Sequence, residues 1–365
     1  MKIKIITLHR VYNYGSVLQA YATQKLIEKY TGADTEIIDY YSSFRTPKAL
    51  IMSNGGYNGV LKIATYRIFH LFSILLKIKT FGGFLNTKCK LTRKYITFDD
   101  LLSSPPIADV YVTGSDQVWN SIYNRGIDKA FYLQFAPLIS KKVSFVSSFG
   151  MAEIPENEKD ETKKYLNEYS AISVREDEAV ELIKNEGLKT PTWLIDPTLQ
   201  LTKKDWLAIS SKRLVREPYL ILMLLYNEDG GATKYARKIA DEKGLKVIKI
   251  SWEIKKPDLV DKLFTHRSPE DFLSLFGNAD FVVTNSFHGT AFAINLERNF
   301  IVVPRKEFNS RITSLLKLTN LSERLIDSET EALTVASKVI DYQAVNSILY
   351  DERIKAKRFI EDNIK

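Results

Sequence analysis

Short apolar runs alternate with stretches of helical periodicity along almost the whole chain. In the first half KIKIITL, TEIIDY, DVYVTG, KKVSFVSSFG, AISV and TWLID read as strands, each bounded by polar or turn-forming residues. Between them, a helix from Val17 to Tyr30 carries Leu18, Ala22, Leu26 and Tyr30 as its buried stripe, and further helices are expected from about Pro155 and from Glu176. A connector rich in Lys, Arg and Ser leads into a second series. This comprises YLILMLL, a helix from Ala232 to Lys243, KVIKIS, a helix opened by Ser268-Pro269-Glu270, DFVVTN, a helix carrying His288, and FIVVP. Strands separated by crossover helices predict parallel sheets, so the expected fold is α/β with two Rossmann-like domains. The boundary is placed near Gln200, giving domains 1–200 and 201–365. The first is interrupted by an insertion at about 41–100, and the charged helical end from Glu329 is able to cross back to it. Two such domains put the expected ligand site in a cleft between them.

The 365 residues, 45% of them hydrophobic, are enough for two cores. Met1 runs directly into KIKIITL, which reads as a first strand rather than a signal peptide. The uncharged apolar run Ile68 to Leu76 is about half of the roughly 20 residues a bilayer span needs. Cys89 is the only cysteine, so no intrachain disulfide or thiolate metal cluster is expected, in keeping with a reducing cytoplasm.

Charge changes this picture in one segment. Between Asp39 and Asp99 there is no acidic residue, while Arg45, Lys48, Lys62, Arg67, Lys77, Lys79, Lys88, Lys90, Arg93 and Lys94 contribute ten cations. The whole chain carries +8, so the remainder is net −2. A local basic field points to a local anionic partner. Within it GVLKIATYRIFHLFSILLKIK, residues 59–79, winds into an amphipathic helix suited to an anionic membrane surface, the alternative being a core helix with a solvated basic face. No nucleic-acid motif accompanies the charge.

Candidate chemistry gathers where strands end. His9-Arg10-Val11-Tyr12-Asn13-Tyr14-Gly15-Ser16 follows the first strand; Ser16 and Gln19 match a capping box, while Asn13, Tyr14 and Gly15 suit a hydroxyl-rich ligand. Ser115-Asp116-Gln117-Val118-Trp119-Asn120 places amides, a carboxylate and an indole in one turn, as sugar recognition requires, although Asp116 also fits a simple Asx turn. Arg175 ends the strand AISV. It is either a fork for a carboxylate or phosphate, or the partner of the adjacent acids Glu176, Asp177 and Glu178. Asp196-Pro197 ends another strand and fixes the start of the connector. In FVVTNSFHGTAFAINL a buried strand runs into a turn that Ser286 can cap, leaving His288 in the first helical turn, where an anion is favoured; a hydrogen-bonding cap histidine is the plainer alternative. The following loop brings Arg305, Lys306 and Arg311, with Asn309, toward the same face.

Taken in order, NYGSVLQAYATQ, TGSDQVWN, VSFVSSFG, SVREDEA, IDPT and TNSFHGTAFAINL resemble the polysaccharide pyruvyl transferase family. The resemblance implies a GT-B-like fold. It also implies transfer of a pyruvyl group from phosphoenolpyruvate to two hydroxyls of a sugar in a polysaccharide or lipid-linked precursor, with release of phosphate. On it, His288 stands at the family's active-site histidine and Arg175 at an arginine that engages the donor. Asn285, Ser286, Gly289, Thr290, Lys306 and Arg311 then fall on the donor side. Asn13, Tyr14, Gly15, Ser115, Asp116, Gln117, Trp119 and Asn120 fall on the acceptor side. Many relatives carry an arginine two residues before the histidine where this chain has Ser286, so Arg311 or Lys306 is the expected second anion clamp. An imidazole with an ordinary pKa of about 6.5 can act as the general acid this chemistry needs.

No metal and no cofactor beyond the donor substrate are expected. The expected location is cytoplasmic, at the inner face of the plasma membrane if residues 59–79 dock there. Two alternatives remain at this stage. One is a GT-B glycosyltransferase using a nucleotide sugar, since one architecture hosts many donors. The other is a non-catalytic glycan- or lipid-binding protein built on the basic insertion.

Overall fold

The computed structural model describes residues 1–52, 59–225, 229–252, 256–305 and 310–365. The chain divides into two compact units, one of Met1–Pro197 with Lys355–Lys365, the other of Thr198–Ile354.

The first unit is built on a seven-stranded sheet. Its strands are β1 (Lys2–Ile6), β2 (Asp34–Tyr40), β3 (Leu91–Tyr95), β4 (Val110–Thr113), β5 (Lys141–Ser147), β6 (Ala171–Val174) and β7 (Thr192–Trp193). They pair in the order β3-β2-β1-β4-β5-β6-β7, every pair parallel. Ile3, Ile5 and Ile6 of the central β1 are fully buried, as expected for a parallel strand covered on both faces. An aromatic cluster around Trp119, Phe131, Tyr132, Phe149, Tyr165 and Tyr169 fills one side.

The second unit repeats the plan with β8 (Tyr219–Met223), β9 (Lys246–Ser251), β10 (Lys262–Thr265), β11 (Phe281–Thr284) and β12 (Asn299–Val302). The order is β10-β9-β8-β11-β12, again all parallel. In each sheet the direction of winding reverses beside the first strand, between β1 and β4 and between β8 and β11. Loops leaving the carboxyl ends of such strand pairs frame the ligand crevice of doubly wound folds.

Two strands depart from the sequence reading, β3 and β10. Both are edge strands, and LTRKY and KLFT are short with one buried residue each, so neither carries an apolar run. β3 also returns part of the supposed insertion to the sheet. What stands out from the sheet is α2 (Pro47–Met52) and the 29-residue α3 (Val60–Lys88). The carboxyl end of α3 docks on α1 (Tyr14–Thr31): Phe81 meets Tyr14 edge to face at 5.2 Å, and Phe84 meets Tyr21 at 5.8 Å. Enclosed by sheet and α3, α1 is buried on nearly every side rather than along one stripe.

The helix Tyr342–Asn363 closes the chain, and its end counts with the first unit, where Phe359 lies 6.3 Å from Phe145. Among the described residues no helix is long and apolar enough to cross a membrane.

Candidate functional site

In the second unit the winding reversal is marked by a tether between two loops. The Asn285 side chain accepts from the Leu225 N–H at 2.7 Å and donates to the Leu225 carbonyl at 3.4 Å, joining the exits of β11 and β8. Ser286, extended at φ −101° and ψ 135°, caps the helix Phe287–Asn295 by accepting from Gly289 N–H at 3.2 Å. Thr290 donates back to the Ser286 carbonyl at 3.0 Å. A methyl group on Gly289 would stand 2.3 Å from Thr284 Oγ1, so only glycine lets the first turn sit this close to the strand.

Asn285, Ser286, Gly289 and Thr290 are thus buried and occupied in building the helix mouth, which narrows the donor-contact expectation to the side chains that remain reachable. His288 is half-buried in the first helical turn, its ring 5.1 Å from Phe287 and nearly perpendicular to it. Arg311, from the helix Ser310–Leu318, lies over the same Phe287 ring at 5.8 Å. An imidazole and a guanidinium thus both border the Phe287 ring, at the positive end of the helix that Ser286 caps. Lys306 and Asn309 lie outside the described residues.

In the first unit, loops leaving β1, β4, β5, β6 and β7 meet in one buried polar network. Asn13, not Ser16, caps α1. It is extended at φ −128° and accepts from Ser16 N–H at 2.7 Å, so the expected capping box is absent. Ser16 is released to donate its hydroxyl to Asp116 Oδ2 at 2.5 Å, and Gln19 donates instead to Thr7 Oγ1 and to the Ser16 carbonyl. Asp116, in the left-handed region at φ 77°, accepts from Gln117 N–H with its other oxygen. That oxygen lies 3.7 Å from Arg175 Nη2.

Arg175 is the hub of this network. It reaches Asp196 at 3.0 Å, Glu176 at 3.3 Å and the Ser148 hydroxyl at 3.2 Å, and Ser148 in turn donates to Glu176. Its side chain is 1% exposed. Burial alone would lower the Arg175 pKa, but Glu176, Asp196 and Asp116 together raise it well above the ordinary guanidinium range. With Asp116, Glu176 and Asp196 around it, the Arg175 guanidinium ties together the loops that bear those carboxylates.

Several of the expected acceptor-side residues are likewise occupied within the fold. The Trp119 indole is buried, donates to the Phe131 carbonyl at 3.2 Å and stacks on Tyr132, so it forms core rather than a sugar platform. Tyr14 is covered by Phe81, and Gly15 and Ser115 are buried. Asn120 caps the helix Ser121–Asn124 and donates to the Gly150 carbonyl. Asn13 and Gln117 remain half-exposed, with Asp116 just beneath. Ser148, Glu176 and Asp196 were not singled out as site residues, although each lies in a stretch that carried the family resemblance. Among the described residues no three histidine, cysteine or carboxylate side chains are grouped to hold a metal.

The sequence model of the polysaccharide pyruvyl transferase family matches residues 13–307, from the cap of α1 to the loop beyond β12. This chain belongs to the polysaccharide pyruvyl transferase family. The match takes in the motif loops from Asn13 onward and leaves out His9 to Tyr12, Arg311 and the C-terminal helices. No curated protein matches the chain in sequence.

Among solved structures the chain resembles the UDP-GlcNAc 2-epimerase of Neisseria meningitidis, bound to UDP-GlcNAc, with a TM-score of 0.51 and 9% identity over 100% of this chain and 99% of that one. The UDP-GlcNAc 2-epimerase of Methanocaldococcus jannaschii, in complex with UDP-GlcNAc and UDP, gives 0.49 and 15% over 96% and 99%. MurG of Acinetobacter baumannii gives 0.42 and 10% over 99% and 98%. At these identities the likeness is one of fold, a GT-B-like pair of Rossmann units.

Proposed function

We propose that this pyruvyl transferase moves a pyruvyl group from phosphoenolpyruvate to two hydroxyls of one sugar in a polysaccharide or lipid-linked precursor, forming a ketal and releasing phosphate. The observation that supports the reading is that His288 and Arg311 both border the Phe287 ring at a helix N-terminus. Phosphoenolpyruvate brings a phosphate and a carboxylate, and a helix end with a nearby guanidinium suits both.

The reaction needs a proton on the methylene carbon, and His288 is assigned to supply it. As that C–H bond forms, the neighbouring carbon becomes electrophilic and is attacked by a sugar hydroxyl, which gives up its proton. The C–O bond to phosphate then breaks, the second hydroxyl closes the ring, and its proton is released. Of the two hydroxyl protons, one replaces that given by His288 and the other leaves with the departing phosphate. The N-terminal unit is assigned to the acceptor, with Asn13, Asp116 and Gln117 at its polar edge.

The test is His288→Ala. General acid catalysis contributes roughly 10²–10⁴-fold, so ketal formation and phosphate release should fall by at least about 10² with the melting temperature unchanged. Retained turnover would remove His288 from the reaction.

A further inference from the structure

A cavity of about 640 Å³ opens in the first unit beside the loop that follows β1, within the size range of small-molecule sites. Five cations line it: Arg10 from that loop, Arg45 from the segment after β2, Arg67 and Lys77 from α3, and Arg125. Among the described residues no carboxylate lines it.

Part of this charge is answered within the first unit. Arg10 is matched by Asp39 through two hydrogen bonds of 2.7 Å. Arg45 is 8% exposed, donates from Nη2 to the Tyr123 carbonyl at 3.2 Å, and lies over the rings of Tyr123 and Phe44 at 4.3 and 4.7 Å. Its Nη1 is buried with no hydrogen-bond partner among the described residues. Arg125 covers the Phe44 ring at 4.7 Å. Burial lowers the Arg45 pKa against the opposing pull of Tyr123, Asp116 and Asp128, and burial also lowers that of Lys77. Like charges gathered in a partly dry cavity are costly until a counter-charge arrives.

We propose that this cavity is a seat for a diphosphate group, borne by a soluble ester or by a lipid headgroup. Guanidinium forks match phosphoryl oxygens two at a time, and two phosphoryl groups carry enough charge to answer several cations at once. A lone carboxylate would leave most of them unmatched. Ile68, Phe72 and Leu75 stand exposed at helical spacing along α3, an apolar track for a chain attached to such a head. The loop from Arg10 leads directly to Asn13, so a seated diphosphate would bring its sugar to the acceptor edge. That role rests on the function proposed above, whereas the binding itself does not.

The experiment is calorimetric titration of inorganic diphosphate at low ionic strength into the wild type and into R67Q/R125Q, both side chains being exposed. The wild type should bind, the double variant should bind at least about tenfold more weakly, and phosphoenolpyruvate should bind both equally. Methyl and dodecyl diphosphate separate the sources. Binding about tenfold tighter with the long chain assigns a lipid headgroup, and equal binding a soluble ester. No binding of diphosphate, or equal affinity in the double variant, would overturn the seat. Diphosphate binding without phosphoenolpyruvate binding would keep the seat and remove the transfer reading; the reverse would do the opposite.

Discussion

Ser16 and Asp116 stand 100 positions apart in the chain and meet in a 2.5 Å hydrogen bond where β1 and β4 end. The winding of the sheet reverses between those two strands, so this bond bridges the crevice edge of the first unit. Asp116 holds a left-handed backbone there, which asparagine tolerates and alanine does not. Asp116→Ala should therefore destabilise the protein by about 1 kcal/mol more than Asp116→Asn, measured by denaturant unfolding. Equal stability of the two variants would show that the conformation carries no strain.

Arg175 gives a second, sharper test. Removing it strips Asp116, Glu176 and Asp196 of the guanidinium they share while they stay buried, so Arg175→Met should cost about 3–5 kcal/mol. Arg175→Lys keeps a charge but loses the fork, and it should lower the melting temperature while changing phosphoenolpyruvate affinity by less than about twofold. A large loss of donor affinity with stability intact would give Arg175 the role of donor clamp.

Trp119 is core. Trp119→Ala should cost about 3–5 kcal/mol of stability, and Trp119→Phe, which keeps most of the packing, should leave acceptor KM near the wild-type value. A raised acceptor KM in Trp119→Phe with unchanged stability would place the indole against substrate after all.

Asp39 sets an acid limit on stability. Burial by itself would raise its pKa, but hydrogen bonds from His9 and Arg10 outweigh that and hold it down to about 2. A carboxylate depressed in the folded state contributes stability above its unfolded pKa of about 3.9 and loses it as pH falls through the folded value. Roughly 2 kcal/mol should disappear between about pH 4 and pH 2, and Asp39→Asn should flatten that part of the curve. An unchanged slope in the variant would assign the acid transition to other groups.

Much of the fold was legible because buried parallel strands announce themselves: VYVT, YLILM and FVVT are nearly uninterrupted apolar runs, and KIKII alternates lysine with isoleucine before ending in two isoleucines. The edge strands β3 and β10 were not, since one exposed face lets charge replace the apolar signal. The site was legible as a set of loops but not as side-chain roles. Trp119 and Tyr14 read as ligand-facing, because sequence alone cannot tell an aromatic ring that closes a core from one that meets a sugar. Arg175 reads as either a fork or the partner of an adjacent acid, and its pairing with Asp116 and Asp196 is hidden because both are distant in the chain. The capping box failed because Asn13 and Ser16 compete for one helix start, and Asp116 decides the contest from the next loop.

The most direct measurement is incubation of the purified chain with phosphoenolpyruvate and a panel of glycosides and glycosyl diphosphates, following phosphate release and the mass of the sugar product. The account predicts one phosphate released for each pyruvate ketal formed, with both lost in His288→Ala. Phosphoenolpyruvate that neither binds nor turns over with any acceptor, while a nucleotide sugar donates its glycosyl group, would contradict it.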